Sequence, residues 1–388
     1  MNTGKYVFAQ VCALLPFNDF IKCVDKYQGN YYVKHFTCWN HLMCMLFGQF
    51  CSRQSLSDLV ICLLSQKNKW YHLGMGLGVS KSNLAYANEH RPWEIFSEFA
   101  DILIRQARNI CVNSKDLEVK VDGQVYAVDS TTIKLCFTLF GWAQFRTNES
   151  AIKLHTQFDV RSEIPKYLQF SDGATHDVNI LDSIEFEKGA FYVMDRAYIS
   201  FGRLNKMNQA QAYFVTRAQD NQKLKRLYSA AVDKSTGVLC DQVVKLVHFR
   251  PLKKYPSKFR RIKYFDSDTN VTFTFMTNNF ALPALDIARL YKYRWSVELF
   301  FKWIKQHLKV KSFWGHNENA VRIQIYTAII AYTSVAILKE QCKIKHSIYE
   351  ILQILSITLV NKTPINQLFD KSYQQNFKEL DDNQLIIF

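Results

Sequence analysis

None of the ten cysteines in this 388-residue chain belongs to a C-x-x-C pair, and many stand in apolar runs. That pattern excludes a disulfide framework and a zinc site and implies reduced, buried thiols. The opening stretch MNTGKYVFAQ lacks the basic-then-apolar order of a signal peptide. The longest uncharged apolar run, Ile323–Leu338, falls short of the roughly 20 residues a membrane span needs. It also carries Gln324, Thr327, Thr333 and Ser334, so a buried helix is expected there. Internal repeats and low-complexity segments are missing as well. Acidic residues are scarce beside basic ones, 34 against 49, for a net charge of +15 and a pI near 9.2. Such an excess points to nucleic acid or an anionic membrane surface. With neither an amphipathic basic anchor nor a lipidation signal, a membrane partner is not expected. The expected location is therefore the cytoplasm.

What is present is a chain that should fold, with hydrophobic residues at 48% and length for two or three domains. Residues 1–115 read as helical, broken at Gly29-Asn30 and around Gly74–Gly78. Within them, Val79–Arg91 has an N-cap candidate in Ser80 or Ser82; it fits the second helix of a helix-turn-helix or an ordinary surface helix equally well. From residue 117 the character changes. LEVKV, VYAVDSTTI, LHTQFDV, KYLQFSD, AFYVMD and AYFVTR are β-type runs, with helix-like VNILDSIEF and SFGRLNKMNQA separating the last three. Meandering strands followed by β-α-β units imply an α/β fold, a mixed sheet covered by helices. Residues 218–280 are β-like again and strongly basic, with interleaved aromatics that suit a DNA-facing surface. Residues 284–310 read as one helix and 318–340 as a buried one. The resulting division is a helical domain (1–115), a core (116–217 with 281–340), a β-rich insertion (218–280) and a helical tail (341–388).

The most informative stretch is YKYRWSVELFFKWIK, where Tyr291, Arg294, Glu298 and Lys305 are spaced Y-x2-R-x3-E-x6-K. On one helix, at roughly 100° per residue, all four fall within a sector of about 80° beside an apolar stripe. One carboxylate, two cations and a phenol at the edge of a core are what metal-assisted chemistry on a phosphate requires. Two further carboxylates end apolar β-runs: Asp129 in VYAVDST and Asp195 in FYVMDRAY. A buried strand-end Asp is costly unless it binds metal, is paired or reaches solvent. Asp122, Asp172 and Asp177 look similar, and any one such Asp more often caps a turn. Three carboxylates at one point would need cations, and two Mg²⁺ (or Mn²⁺) ions about 4 Å apart would serve an in-line phosphoryl displacement.

On these motifs the chain resembles bacterial DDE transposases of the insertion-sequence-four family, along nearly its whole length. YAVDSTTI is similar to the family's first-Asp strand and FYVMDRAY to its second. YKYRWSVELFFKWIKQHLKVKSFWG is similar to its Glu helix and the segment beyond. GKYVFAQVCALLPF…FTCWNHLMCMLF…SLSDL is similar to a helical domain that precedes the core in one branch.

The resemblance implies a ribonuclease-H-like core and makes Asp129, Asp195 and Glu298 the catalytic, metal-binding carboxylates. Tyr291, Arg294 and Lys305 would hold DNA phosphates. Lys153 and His155 lie in a stretch the family shares and would support DNA contact or positioning; a satisfied strand-face histidine accounts for His155 more simply. His176-Asp177 matches another shared segment that would order a helix start. Some members stack a flipped base on a Trp of the insertion. Residues 218–280 hold no Trp, and Phe273 falls near the matching place. The implied activity is binding of transposon ends, cleavage, and joining of 3′-hydroxyl ends to target double-stranded DNA by a homodimer assembled on DNA. The alternatives are a ribonuclease-H-like nuclease that cuts without joining and a non-catalytic DNA-binding relative.

Overall fold

The computed structural model describes residues 4–76, 78–112, 115–136, 138–146, 149–219, 222–308 and 313–369. Residues 309–312, in the segment beyond the Glu helix, and 370–388, in the tail, lie outside them. In chain order the first helices are α1 (Val7–Cys12), α2 (Phe17–Lys26), α3 (Cys38–Phe50), α4 (Leu56–Ser65), α5 (Lys81–His90) and α6 (Glu94–Ile110). Strands β1 (Val125–Leu135), β2 (Gln144–Arg146), β3 (Glu149–Asp159), β4 (Ile164–Asp172) and β5 (Phe191–Met194) follow. Then come α7 (Phe201–Gln209), β6 (Tyr213–Arg217), β7 (Leu224–Ala230), β8 (Val238–Leu246), α8 (Phe249–Lys254), β9 (Phe259–Asp266) and β10 (Val271–Thr277). The chain closes with α9 (Ala284–Lys292), α10 (Trp295–Leu308), α11 (Glu318–Gln341), α12 (Ile348–Thr358) and α13 (Ile365–Leu368). It divides into two compact units: residues 1–111, 135–142 and 303–388, and residues 112–134 and 143–302.

The first unit is helical and built around α11, which packs against α3, α5, α6 and α12. Asn317 caps the start of α11, its side chain accepting from Ala320 N at 2.8 Å. The helix is long and apolar enough to cross a membrane by length and composition, yet 94% of its most apolar window is buried within the protein. Its hydroxyls explain how: Thr327, Thr333 and Ser334 donate to the carbonyls of Ile323, Ile329 and Ile330 at 2.7–2.8 Å. Each polar group is thus satisfied inside its own helix and presents a methyl or methylene to the core. Ser80 caps α5 as expected. The connection from α4 to α5 runs from Gln66 to Ser80 through a short 3-10 turn at Lys67–Lys69. That is far longer than the three or four residues of a helix-turn-helix, so the motif is not formed.

The second unit holds one ten-stranded sheet in the order β2-β3-β1-β5-β6-β10-β9-β8-β7, with β4 paired to β3. β1, β5 and β6 run parallel, and α7 makes the crossover from β5 to β6. This is the mixed, ribonuclease-H-like sheet the resemblance implied. Residues 218–280 do not form a sheet of their own. β10 pairs antiparallel with β6, and β9, β8 and β7 continue outward, so the basic segment extends the central sheet.

Within residues 116–190 two readings differ from the structure. LEVKV is not a strand; its backbone is held by side chains instead. Tyr293 Oη accepts from Glu118 N at 2.7 Å, and Arg161 Nη2 donates to Val121 O at 2.6 Å. VNILDSIEF forms only a 3-10 turn at Asp177–Asp182. Beyond it, Tyr192 Oη accepts from Glu187 N at 2.9 Å, and Ile184 and Phe186 pack on the core from an extended chain.

Candidate active site at the strand ends of the second unit

β1 and β5 are the adjacent parallel strands at the middle of the sheet, fully buried over Val125–Val128 and nearly so over Phe191–Met194. Their last paired residues are Val128 and Met194. Asp129, where β1 loses its pairing with β5 and runs on to Leu135, and Asp195, just past the end of β5, each come one position later, on neighbouring backbones about one strand spacing of 4.8 Å apart. The apolar runs demand the buried strands, and the acids mark where each unbroken buried run ends.

The third carboxylate arrives on a helix that is not continuous. Tyr291 ends its course on α9, whereas Glu298 belongs to α10. Between them the amides of Tyr293, Arg294, Ser296 and Val297 bond to the carbonyls three residues back. That local 3-10 winding advances each residue further round the axis than an α-turn does. The single 80° face expected for Tyr291, Arg294, Glu298 and Lys305 is therefore broken at Arg294. The break places Arg294 between acids: Nη1 lies 2.9 Å from Asp129 Oδ2 and Nη2 lies 2.5 Å from Glu298 Oε1. Its Nε is buried with no hydrogen-bond partner. Tyr291 Oη donates to Asp195 Oδ1 at a long 3.4 Å. Burial holds that phenol protonated, its pKa pushed up to about 12.

The acids feel one another. Burial pushes the Asp129 carboxyl up to about 6, and the charges of Glu298 and Asp195 push the same way, against the Ser130 amide and Arg294. Oxygen-only donors under mutual repulsion match a hard divalent cation such as Mg²⁺. Among the described residues no three His, Cys, Asp or Glu side chains stand in ready-made ligating geometry. The positive charge between Asp129 and Glu298 is the Arg294 guanidinium. The donor chemistry thus fits a metal, and the present arrangement of the acids is one held by arginine.

A second group, whose pairing no local pattern announced, supports Asp129. Ser130 N donates to Asp129 Oδ1 at 2.8 Å, and Ser130 Oγ donates to Asp177 Oδ1 at 2.7 Å. Lys153 Nζ, on β3, lies 3.1 Å from the same Asp177 oxygen and donates to Thr175 O at 2.7 Å. Lys153 is thereby committed inside the fold. His155 is 2% exposed, bonded through Nε2 to Ser171 Oγ at 2.8 Å on the partner strand. Burial lowers its pKa, keeping it neutral. Tyr198 is buried nearby, and its phenol is raised well above the ordinary value by burial and then by Asp129. Asp177 had looked like a decoy; the shared segment around His176-Asp177 was the available signal.

An aromatic row leads away from Tyr291 along β10. Phe275 packs on Tyr291 with ring centres 4.9 Å apart, and Phe273 stacks on Phe275 at 5.9 Å and 15°. Arg217 covers Phe273 at 5.2 Å. Phe273 is half-buried, and Lys305 is exposed on α10.

A ribonuclease-H-like sheet whose two central strands carry acids just beyond their last mutual pair, beside a third acid and an arginine, defines a class of enzymes that transfer phosphoryl groups in nucleic acids. The particular family follows from comparison with known proteins. A model described as "Transposase DDE domain" matches residues 120–334, and a domain of unknown function (DUF4372) matches residues 3–76. The chain is 37% identical over 260 residues to transposase y4zB of Sinorhizobium fredii, covering 64% of this chain and 68% of that protein. It is 29% identical over 262 residues to the transposase of insertion sequence element IS5377 of Geobacillus stearothermophilus, covering 65% of each. A solved piggyBac transposase synaptic complex with hairpin DNA is similar at a TM-score of 0.48 and 10% identity, over 97% of this chain and 85% of that one, too distant to bear on function. The chain belongs to the transposase DDE domain family and is a DDE-type DNA transposase.

Proposed function

We propose that Asp129, Asp195 and Glu298 are the catalytic carboxylates of this transposase and hold two Mg²⁺ or Mn²⁺ ions. When bound, such ions supply Lewis-acid stabilisation of the attacking and leaving oxygens. The chain's own residues do the rest. Arg294 moves a guanidinium from carboxylate to scissile phosphate, where its unpartnered Nε–H gains an acceptor. Tyr291 keeps its proton and donates to a phosphate oxygen, so it is not a nucleophile and no protein–DNA bond forms. Water attacks phosphorus, and the bridging oxygen leaves as a 3′-hydroxyl. That hydroxyl then attacks a phosphorus of target DNA, the bond from that phosphorus to the target's bridging 3′-oxygen breaks, this oxygen leaves with the proton as a 3′-hydroxyl, and the element is joined to the target.

Lys153 and His155 act by positioning, through Asp177 and Ser171. Lys305 takes a further phosphate, and Phe273 offers a stacking surface beside the DNA. The enzyme works on transposon-end and target double-stranded DNA as a homodimer, in the cytoplasm at the nucleoid. Residues 1–115 bind the ends, and the basic strands of residues 218–280 lie along the duplex.

The observation that carries this reading is the meeting of Asp129 and Glu298 on one guanidinium, from sequence positions 165 residues apart for Asp129 and Arg294. Asp129→Asn, Asp195→Asn and Glu298→Gln are each expected to lower end cleavage on the order of 10³-fold or more while end binding stays within a few-fold. Full cleavage with Mg²⁺ by any of the three removes that residue from the set.

A further inference from the structure

The first unit contains a cavity of about 380 Å³ between the chain around residues 28–36 and α5. None of its lining residues is acidic. Its walls include Tyr31 and Tyr86, exposed by 66% and 65% although a tyrosine ring gains from burial. Tyr86 is already half of a flat platform: its ring stacks on His90 at 4.0 Å and 16°. Lys34 and His35 are exposed at the same cavity, and Asn83 presents an amide from the first turn of α5.

The frame is rigid where the walls are polar. Arg91 Nη1 donates to Thr37 O at 2.9 Å, Nη2 donates to Phe36 O, and the guanidinium lies 5.0 Å above the Phe36 ring. His41 Nε2 bonds Asn88 Oδ1 at 2.8 Å, and Asn319 Nδ2 donates to the carbonyls of Asn88 and Arg91 at 2.7–2.8 Å. These bonds hold the far face of α5 to the core, so the stacked pair is presented on a fixed scaffold. A flat aromatic pair, an exposed lysine and an amide, with no carboxylate in the lining to repel phosphate, form a site for one nucleotide of a DNA strand. The base would stack on Tyr86, the phosphate would lie at Lys34, and Asn83 would read a base edge.

We propose that this cavity is a nucleotide-binding subsite through which the first unit grips the DNA of the element's end. The proposal rests on the reading of the chain as a transposase and adds to it a specific contact surface. The test uses the full chain with EDTA and a fluorescent duplex carrying the inverted repeat that flanks its gene, against a scrambled duplex of equal length. Tyr86→Ala should weaken Kd by about 5- to 100-fold, as loss of one base stack does, and Tyr86→Trp should retain wild-type binding. Lys34→Ala should lower the slope of log K against log salt by about one. Both side chains are exposed, and circular dichroism should be unchanged. Wild-type Kd and slope in both alanine variants would overturn the subsite and leave the transposase reading standing. Failure of the wild-type chain to prefer its own end would overturn end binding by residues 1–115 and the subsite with it.

Discussion

The two units bury polarity in opposite ways. In the first, the buried polar side chains other than Arg91 are neutral: Thr327, Thr333 and Ser334 bond within α11, and His41 bonds Asn88. Among its described residues Arg91 is the one buried charge, and backbone carbonyls receive it. The second unit buries or half-buries ions in pairs drawn from distant segments: Arg260 with Asp241, Arg294 with Asp129 and Glu298, Lys153 with Asp177. Burying an ion pair seldom stabilises a fold more than a well-packed apolar pair would. The contrast therefore separates a core held by apolar packing from one that keeps charge inside at no gain in cohesion.

The sharpest way to test the contrast is the Arg260–Asp241 pair, bidentate at 2.6–2.7 Å and under 10% exposed at both residues. Arg260→Met should destabilise the second unit by about 3–5 kcal/mol, because Asp241 is left buried and alone. Arg260→Met with Asp241→Leu should recover most of that loss in denaturant unfolding. Equal destabilisation by the double variant would show that the pair itself stabilises the fold, and the contrast would fail.

Acid should act on the units with opposite sign. Burial pushes the His41 imidazole from 6.5 down to about 3. Between those values the unfolded state holds the extra proton, so the first unit loses stability as pH falls. Burial pushes the Asp129 carboxyl from 3.8 up to about 6. Here the folded state holds the extra proton, so that contribution is present below pH 4 and is lost as pH rises through 6. Each effect is on the order of 1–3 kcal/mol. Hydrogen exchange of the metal-free protein should show the α3 amides and the β1 amides moving in opposite directions from pH 4 to 6.5. Asp129→Asn should flatten the second trend alone, and parallel trends would break the comparison.

The smallest effect concerns α11. Thr333→Val exchanges a hydroxyl bonded within the helix for a methyl of similar shape. It should change stability by no more than about 1 kcal/mol in either direction, read as a shift in thermal midpoint. A loss well beyond that would mean the hydroxyl serves something outside its own helix.

Much of this was legible before any coordinates, for reasons that lie in short-range order. Val125–Val128 and Phe191–Met194 are continuous apolar runs that only buried strands explain, and Asp129 and Asp195 stand where each run stops. The helices at 1–115 and the burial of Ile323–Leu338 follow equally from apolar spacing. What escaped depends on partners far away in the chain. The apolar pattern from Ala284 to Leu308 is unbroken, so nothing local announces the 3-10 turn at Arg294. LEVKV alternates like a strand, yet Tyr293 and Arg161 take the bonds a neighbouring strand would have made. Asp177 acquires meaning only through Ser130 and Lys153, and residues 218–280 look separable because the pairing of β10 with β6 is invisible locally.

That last pairing has an architectural consequence. Asp195 follows β5, β5 is bonded to β6, and β6 to β10, so the basic strands are coupled in series to an acidic strand end. A one-residue slip along β10 would turn Phe275 to the opposite face and take its ring off Tyr291. Residues 218–280 are therefore not a cassette to be trimmed or traded between relatives: cutting them out would strip β6 of a neighbour and leave a raw sheet edge within one strand of Asp195.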